Sequence, residues 1–162
     1  MEATPKVLYV FDTSSFIVLE NYYPERFPSF WSQLAALAAA NRLQSVSEVW
    51  KELNRDNTRD FLVDWIKVRQ ALFLTPAAVE TQFVAGIFAV PAFQALVKQK
   101  SRLKGSPVAD PWVIARAANL GGTLVTQESP DPAKVRMPAV CHHFKVPCTN
   151  LEGLMAKEGW KY

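Results

Sequence analysis

Residues 7–16 read VLYVFDTSSF, an apolar run that stops at the acidic residue Asp12. A short run rich in Val, Tyr and Phe predicts a buried β-strand over 6–11, and the residues that follow Asp12 predict a short helix over 13–19. Asp is a favoured N-cap, so Asp12 has an ordinary structural explanation. The same pattern also places a carboxylate at the carboxyl end of a strand.

The rest of the chain repeats this alternation of strands and helices. Further strands are predicted over 43–46, 71–75 and 123–126. Helices are predicted over 30–40, 48–53, 59–70, 77–90, 92–100, 111–120, 138–144 and 151–158. The alternation predicts an α/β fold with a largely parallel sheet. No linker interrupts the 162 residues, so we expect a single domain over 1–162.

Composition and charge exclude several classes of protein. Apolar residues make up 49% and charged residues 20%, which is typical of globular rather than disordered chains. No apolar run of about 20 residues is present, so we expect no membrane partner. Two cysteines and the lack of a signal peptide favour a cytoplasmic location. The net charge of +3 permits an anionic partner without requiring one.

Three more acidic residues occupy comparable places. Glu48 follows the second predicted strand, Glu128 follows the last one, and Asp110 begins a helix. Ligands of open parallel sheets bind beyond the carboxyl ends of the strands. Carboxylates gathered there repel one another unless a cation offsets their charge, and oxygen ligands suit Mg²⁺ or Mn²⁺. Such an ion activates water and neutralises charge on a phosphate.

Each of these acids also has a structural explanation, and spacing alone does not decide between the two. Asp110 and Pro111 match a helix cap followed by proline in the first turn. The stretch SVSE, residues 45–48, matches a capping box in which Glu48 hydrogen-bonds back to the first serine. Glu128 also fits a solvated loop.

A family resemblance covers nearly the whole chain. In order, DTSSFI (12–17), SEV (47–49), ADPWVIARA (109–117) and LVTQE (124–128) resemble the motifs of PIN-domain ribonucleases, which include the VapC-type toxins of bacterial toxin–antitoxin pairs. The ending, with VRMPAVC (135–141) and LEGL (151–154), is similar to a PIN-like subfamily long described only as a domain of unknown function. The resemblance implies a three-layer α/β/α fold with a central parallel sheet.

The resemblance also implies an activity and its residues. The activity is that of a Mg²⁺- or Mn²⁺-dependent endoribonuclease that hydrolyses RNA phosphodiester bonds. The implied catalytic residues and metal ligands are Asp12, Glu48, Asp110 and Glu128. Many members carry aspartate where this chain has Glu128, and binding of the ion through water is the alternative for this longer side chain. Thr126, and Thr13 or Ser14, are implied to orient the acids by hydrogen bonds.

The partners follow from the same resemblance. The cations Lys100, Arg102 and Lys104 precede Asp110 and are expected to contact the RNA backbone, although a solvated helix end explains them equally well. Many family members form homodimers and bind an antitoxin protein, so both are implied partners besides RNA. The rival hypothesis is a non-catalytic PIN-like module that binds RNA or protein. A phosphatase of the HAD type would need a second acid at residue 14, which is Ser14.

Overall fold

The computed structural model describes residues 6–55, 57–94, 109–130 and 136–162. Within these ranges the chain forms a five-stranded sheet in the order β3-β2-β1-β4-β5, and every neighbouring pair is parallel. The strands are β1 (Tyr9–Phe11), β2 (Leu43–Val46), β3 (Phe73–Leu74), β4 (Thr123–Val125) and β5 (Cys148–Thr149).

Helices connect the strands. They are α1 (Thr13–Ile17), α2 (Pro28–Ala39), α3 (Ser47–Arg55), α4 (Asp60–Lys67), α5 (Ala78–Phe88), α6 (Asp110–Leu120), α7 (Met137–His143) and α8 (Leu151–Glu158). Two short 3₁₀ helices cover Val18–Asn21 and Gln70–Leu72, and residues 91–94 are also helical. None of the helices in the described ranges is long and apolar enough to cross a membrane.

The strand order reverses beside the central strand β1. From β1 the chain moves through β2 to β3 on one side, and then returns to β4 and β5 on the other. Because crossovers between parallel strands are right-handed, the helices between β1 and β3 and the helices between β3 and β5 lie on opposite faces of the sheet. This arrangement confirms the predicted three-layer α/β/α fold with a central parallel sheet.

Strand β1, which leads directly to Asp12, is fully buried. Tyr9, Val10 and Phe11 are all 0% exposed. Strand β1 pairs with β2 on one edge and β4 on the other, with Phe11 opposite Val125. Strands covered on both faces are continuous apolar runs, which is the pattern that predicted this strand.

A buried ion pair holds α6, the helix that begins at Asp110. Arg116 of α6 is 6% exposed and lies 2.9 Å from the carboxylate of Glu80, which is 1% exposed and belongs to α5. Asn119 donates to the same carboxylate at 3.0 Å, and Arg116 also donates to the backbone carbonyl of Leu74 at 3.3 Å. The two helices are therefore joined by charge as well as by apolar packing.

Several boundaries differ from the sequence predictions. Strand β1 covers three residues instead of six, and α1 ends at Ile17, where a 3₁₀ turn follows. Strand β5 was not predicted, because two residues are too few to show a period. Helix α2 begins at Pro28, two residues before the predicted start. The predicted helix over 92–100 lies for the most part outside the described residues.

Candidate active site at the carboxyl edge of the sheet

Asp12 lies at the carboxyl end of β1 and caps α1. Its Oδ1 accepts a hydrogen bond of 2.8 Å from the backbone N–H of Ser15, as an N-cap does. The hydroxyl of Ser14 lies 2.8 and 2.9 Å from the two carboxylate oxygens. Asp12 is therefore the N-cap of α1, as its structural explanation expects. The cap accounts for only one of the hydrogen bonds that this carboxylate accepts.

A second strand supplies a further donor to Asp12. Thr126 follows β4, is 2% exposed, and donates its hydroxyl to Asp12 Oδ2 at 2.6 Å. This bond spans β1 and β4, the place where the strand order reverses. Open α/β sheets bind ligands in the crevice at this switch point. Thr126 therefore hydrogen-bonds one of the predicted acids, and its orienting role stays a prediction.

The environment of Asp12 disfavours its charge. Asp12 is 2% exposed, and burial raises the pKa of its carboxyl group above the ordinary value of 3.8. The hydrogen bonds from Thr126, Ser14 and Ser15 oppose this shift but do not cancel it. A buried carboxylate with a raised pKa at a ligand-binding edge is typical of functional sites, and a bound cation would offset its cost.

The loop after β4 is hydrogen-bonded to α1, the helix that follows Asp12. The backbone N–H of Gln127 donates to the Ser14 hydroxyl at 3.0 Å, and the N–H of Glu128 donates to the Thr126 hydroxyl at 3.1 Å. The Ser15 hydroxyl donates to the carbonyl of Val125 at 2.7 Å. The start of α1 and the loop after β4 together therefore keep Asp12 in one orientation.

Glu52 is an acid of this region that the sequence prediction did not include. It lies on α3 and is 7% exposed. The Thr13 hydroxyl donates to one of its oxygens, and the backbone N–H of Ala109 donates to the other at 3.0 Å. Thr13 follows Asp12 and Ala109 precedes Asp110, so one carboxylate joins the chain beside both predicted acids.

Asp110 is buried, with 6% exposure, and is the first residue of α6. The residue at the N-cap is Ala109, so the expected capping role of Asp110 does not apply. Through Ala109 and Glu52, the start of α6 is connected to the start of α1. The structure thus places the beginnings of both helices around one buried carboxylate.

Glu48 has different surroundings. Its Oε1 lies 3.1 Å from the Lys51 ammonium, and the Ser47 hydroxyl lies 3.5 Å from the same oxygen. The capping box expected for residues 45–48 is not formed, because Ser45 belongs to β2 and donates its hydroxyl to the carbonyl of Phe11 at 2.8 Å. The role of Glu48 as a metal ligand stays a prediction.

Glu128 is half-buried and holds the start of α7. Its Oε2 accepts a hydrogen bond of 3.0 Å from the backbone N–H of Met137, the first residue of that helix. An acid suits this place because the first N–H groups of a helix lack partners within it. Glu128 thus lies in a loop and is partly exposed, as the loop explanation expects, and this hydrogen bond gives it a structural role there. Its role as a metal ligand stays a prediction.

The described residues do not form a closed metal cage. Among residues 6–55, 57–94, 109–130 and 136–162, no group of three His, Cys, Asp or Glu could hold a metal ion. Mg²⁺ does not need such a cage, since proteins hold it through one or two carboxylates plus water and substrate phosphates. Asp12 and Asp110 are buried and carry oxygen donors of the chemical kind that such an ion takes. The predicted RNA-contacting residues Lys100, Arg102 and Lys104 lie outside the described residues.

The chain is similar to a solved structure and to a family model. The structure is similar to a chain in the crystal structure of VapBC2 from Rickettsia felis bound to a DNA fragment from their promoter, with 17% sequence identity and a TM-score of 0.48. This similarity covers 88% of the present chain and 98% of the other. No curated protein matches the chain. Residues 9–162 match a family model, and the chain therefore belongs to the family described as Domain of unknown function (DUF4411).

Proposed function

We propose that the protein is a Mg²⁺- or Mn²⁺-dependent endoribonuclease of the PIN type, and the toxin of a toxin–antitoxin pair. One observation supports the catalytic part most strongly. The buried carboxylate of Asp12 receives the hydroxyl of Thr126 at 2.6 Å across the switch point of a parallel sheet. Ligands of such sheets bind there, and the ordered sequence resemblance to PIN-domain ribonucleases names RNA as the ligand.

The residues divide into those that would hold the ion and those that orient them. Asp12 and Asp110 would hold the ion, which when bound would lower the pKa of a water molecule and neutralise charge on the phosphate. Thr126 and Ser14 orient Asp12 by their hydrogen bonds. Glu52 orients the backbone next to both acids, through the Thr13 hydroxyl beside Asp12 and the Ala109 N–H beside Asp110.

The remaining predicted acids enter the proposal with different roles. Glu128 uses one carboxylate oxygen to hold α7, so we propose that it contacts the ion through water. Glu48 is ion-paired with Lys51, so we propose that it contributes less to ion binding than Asp12 and Asp110 do. The resemblance supports RNA, an antitoxin protein and a second copy of the chain as partners. Two free thiols, Cys141 and Cys148, support a cytoplasmic location.

The direct test is cleavage of a single-stranded RNA by purified protein. The wild-type protein should cleave with Mn²⁺ and stop when EDTA removes the ion. Asp12→Asn should lose this cleavage while its circular dichroism spectrum and cooperative unfolding persist. Full activity of Asp12→Asn, or cleavage that is unchanged in EDTA, would contradict the mechanism.

A non-catalytic binding module is the second candidate. Two observations favour it: the carboxylate of Glu128 is engaged with the start of α7, and the described residues contain no group of three that could hold a metal. Calorimetric titration with Mn²⁺ separates the two proposals. Absence of binding at millimolar Mn²⁺ in the presence of RNA would favour the module over the nuclease.

A further inference from the structure

A cavity of about 480 Å³ opens at the carboxyl ends of β4 and β5, and Glu128 is the predicted acid that lines it. This volume lies within the range of roughly 300–1,000 Å³ found for small-ligand pockets. Its walls come from the loop after β4, from α7, and from the turn between β5 and α8. They include Gln127, Ser129, Pro138, His142, Thr149 and Asn150.

The cavity is connected to the candidate active site through shared residues. Thr126 lines the cavity and also donates to Asp12 at 2.6 Å. Glu128 lines it as well, and its backbone N–H donates to the Thr126 hydroxyl at 3.1 Å. Thr126 therefore stands between the cavity and Asp12. In RNA each phosphate is joined through ribose to the bases of the two nucleotides that it links, so a phosphate bound at Asp12 has a neighbouring base within reach of the cavity.

The walls combine flat apolar surfaces with polar groups. Pro130, Pro138 and Val146 supply apolar surface, and the exposed imidazole of His142 supplies an aromatic ring. Gln127 also lines the cavity, and its side-chain amide is held in place by donating to the Ser15 hydroxyl at 3.2 Å. Proteins recognise unpaired bases through this combination, by stacking on a ring and by hydrogen bonds to the base edge.

The floor of the cavity is held firmly. Asn150 accepts a hydrogen bond of 2.8 Å from the backbone N–H of Gly153 and so caps α8. A Cβ atom added to Gly153 would lie 1.9 Å from the Thr149 hydroxyl, so α8 packs directly against Thr149. The walls formed by Thr149 and Asn150 therefore need little rearrangement when a ligand binds.

We propose that this cavity, the base pocket, binds one unpaired nucleobase of the RNA next to the phosphate that is cleaved, and so sets the base preference of the enzyme. The proposal deepens the proposed ribonuclease function and rests on it for the identity of the ligand. A metal site is the weaker alternative, because no group of three ligating side chains in the described part of the chain, the cavity wall included, could hold an ion.

The test is a binding experiment in EDTA, where no metal-dependent cleavage takes place. Backbone amide signals of the ¹⁵N-labelled protein are followed during titration with AMP, GMP, CMP, UMP and ribose 5-phosphate. At least one nucleoside monophosphate should shift the signals of Thr149 and Asn150, and ribose 5-phosphate, which has no base, should not. Equal shifts with ribose 5-phosphate, or no shift with any of the four nucleotides, would overturn the base pocket.

Two matched pairs of variants locate the binding. Ser129→Trp fills the cavity from an exposed loop residue, and Ser32→Trp places the same side chain on exposed surface of α2. His142→Ala removes the ring in the wall, and His143→Ala changes its neighbour, which packs on Phe144. Ser129→Trp should abolish the shifts, and His142→Ala should weaken binding about tenfold, in line with the loss of one stacked ring.

The controls Ser32→Trp and His143→Ala should bind like the wild-type protein. Equal binding by Ser129→Trp and Ser32→Trp would overturn the proposal. Asp12→Asn should still bind the nucleotide, because it lacks only the acid of the proposed active site. If the wild-type protein binds a nucleotide but does not cleave RNA, the proposed nuclease function is contradicted and the base pocket is supported. If it cleaves RNA but binds no nucleotide, the base pocket is contradicted and the nuclease function is supported.

Discussion

The carboxylate of Glu52 accepts a hydrogen bond of 3.0 Å from the backbone N–H of Ala109. Its other oxygen receives the hydroxyl of Thr13. Because Ala109 precedes Asp110 and Thr13 follows Asp12, a single buried side chain sets where both helices begin. This relationship explains how two acids almost a hundred residues apart in sequence come to border one edge of the sheet.

Glu52 and Glu48 lie one turn apart on α3 and provide a matched comparison. Glu52→Gln should lower metal-dependent RNA cleavage roughly 10- to 100-fold, the usual effect of removing a group that orients a metal ligand. Glu48→Gln should change the rate less, because Glu48 is paired with the mostly exposed Lys51. Initial rates at saturating Mn²⁺ measure both. A larger loss for Glu48→Gln would restore Glu48 as the more important acid.

Thr126 should matter for stability as well as for activity. Thr126→Val keeps the shape of the side chain but removes the donor to Asp12 and the acceptor for the Glu128 N–H. Leaving buried polar groups without a partner costs about 1–3 kcal/mol, so the midpoint of urea unfolding should fall. Thr126→Ser keeps the hydroxyl and serves as the control. Equal stability of the two variants would show that the hydroxyl contributes little.

The buried pair of Glu80 and Arg116 should be needed for folding of α5 against α6. Glu80→Ala leaves the guanidinium of Arg116 buried without its counter-charge, which costs about 3–5 kcal/mol in comparable cases. Glu80→Gln keeps a hydrogen-bond acceptor and should lose less. The control is Glu25→Ala, an exposed acid in a loop, which should unfold like the wild-type protein in urea. A Glu80→Ala midpoint close to that of Glu25→Ala would contradict the account.

The contact between Glu158 and Arg42 should make stability depend on pH. A hydrogen bond from Arg42 lowers the pKa of Glu158 below its ordinary value of 4.5 in the folded protein. Its contribution to stability is therefore fully present above about pH 4.5 and is lost as the pH falls through the lowered pKa. Melting temperatures of the wild-type protein and Glu158→Gln should differ near neutral pH and converge in acid. If the difference in melting temperature between the two proteins increases as the pH falls, the stabilising role of the Glu158 carboxylate is contradicted.

The sequence predicts the central strands well, and β1 and β4 in particular are buried and largely apolar. Strand β2 begins and ends as predicted, and β1 and β4 lie within their predicted ranges. Strand β5 has two residues, and its pairing with β4 depends on tertiary packing rather than on its own residues. The ion pair of Glu80 and Arg116 joins two helices far apart in sequence, so no local pattern shows it.

The site residues stay a prediction, although one contact among them is present: the Thr126 hydroxyl donates to the carboxylate of Asp12. Glu52 was missed, although a signal was present: Val49, Glu52 and Leu53 have the helical spacing of one face, and the two apolar residues are fully buried or nearly so. An acid among apolar residues on a buried face needs a polar partner, and spacing cannot say which partner the fold supplies. The single-domain prediction over 1–162 stays a prediction.

The most direct measurement of the central claim is anomalous density from Mn²⁺ in a crystal of the wild-type protein. A single peak within bonding distance of carboxylate oxygens of Asp12 and Asp110 is the predicted result, and Asp12→Asn crystals soaked in parallel should lack it. A wild-type crystal with no peak at this edge of the sheet, at a Mn²⁺ concentration that supports RNA cleavage, would contradict the account.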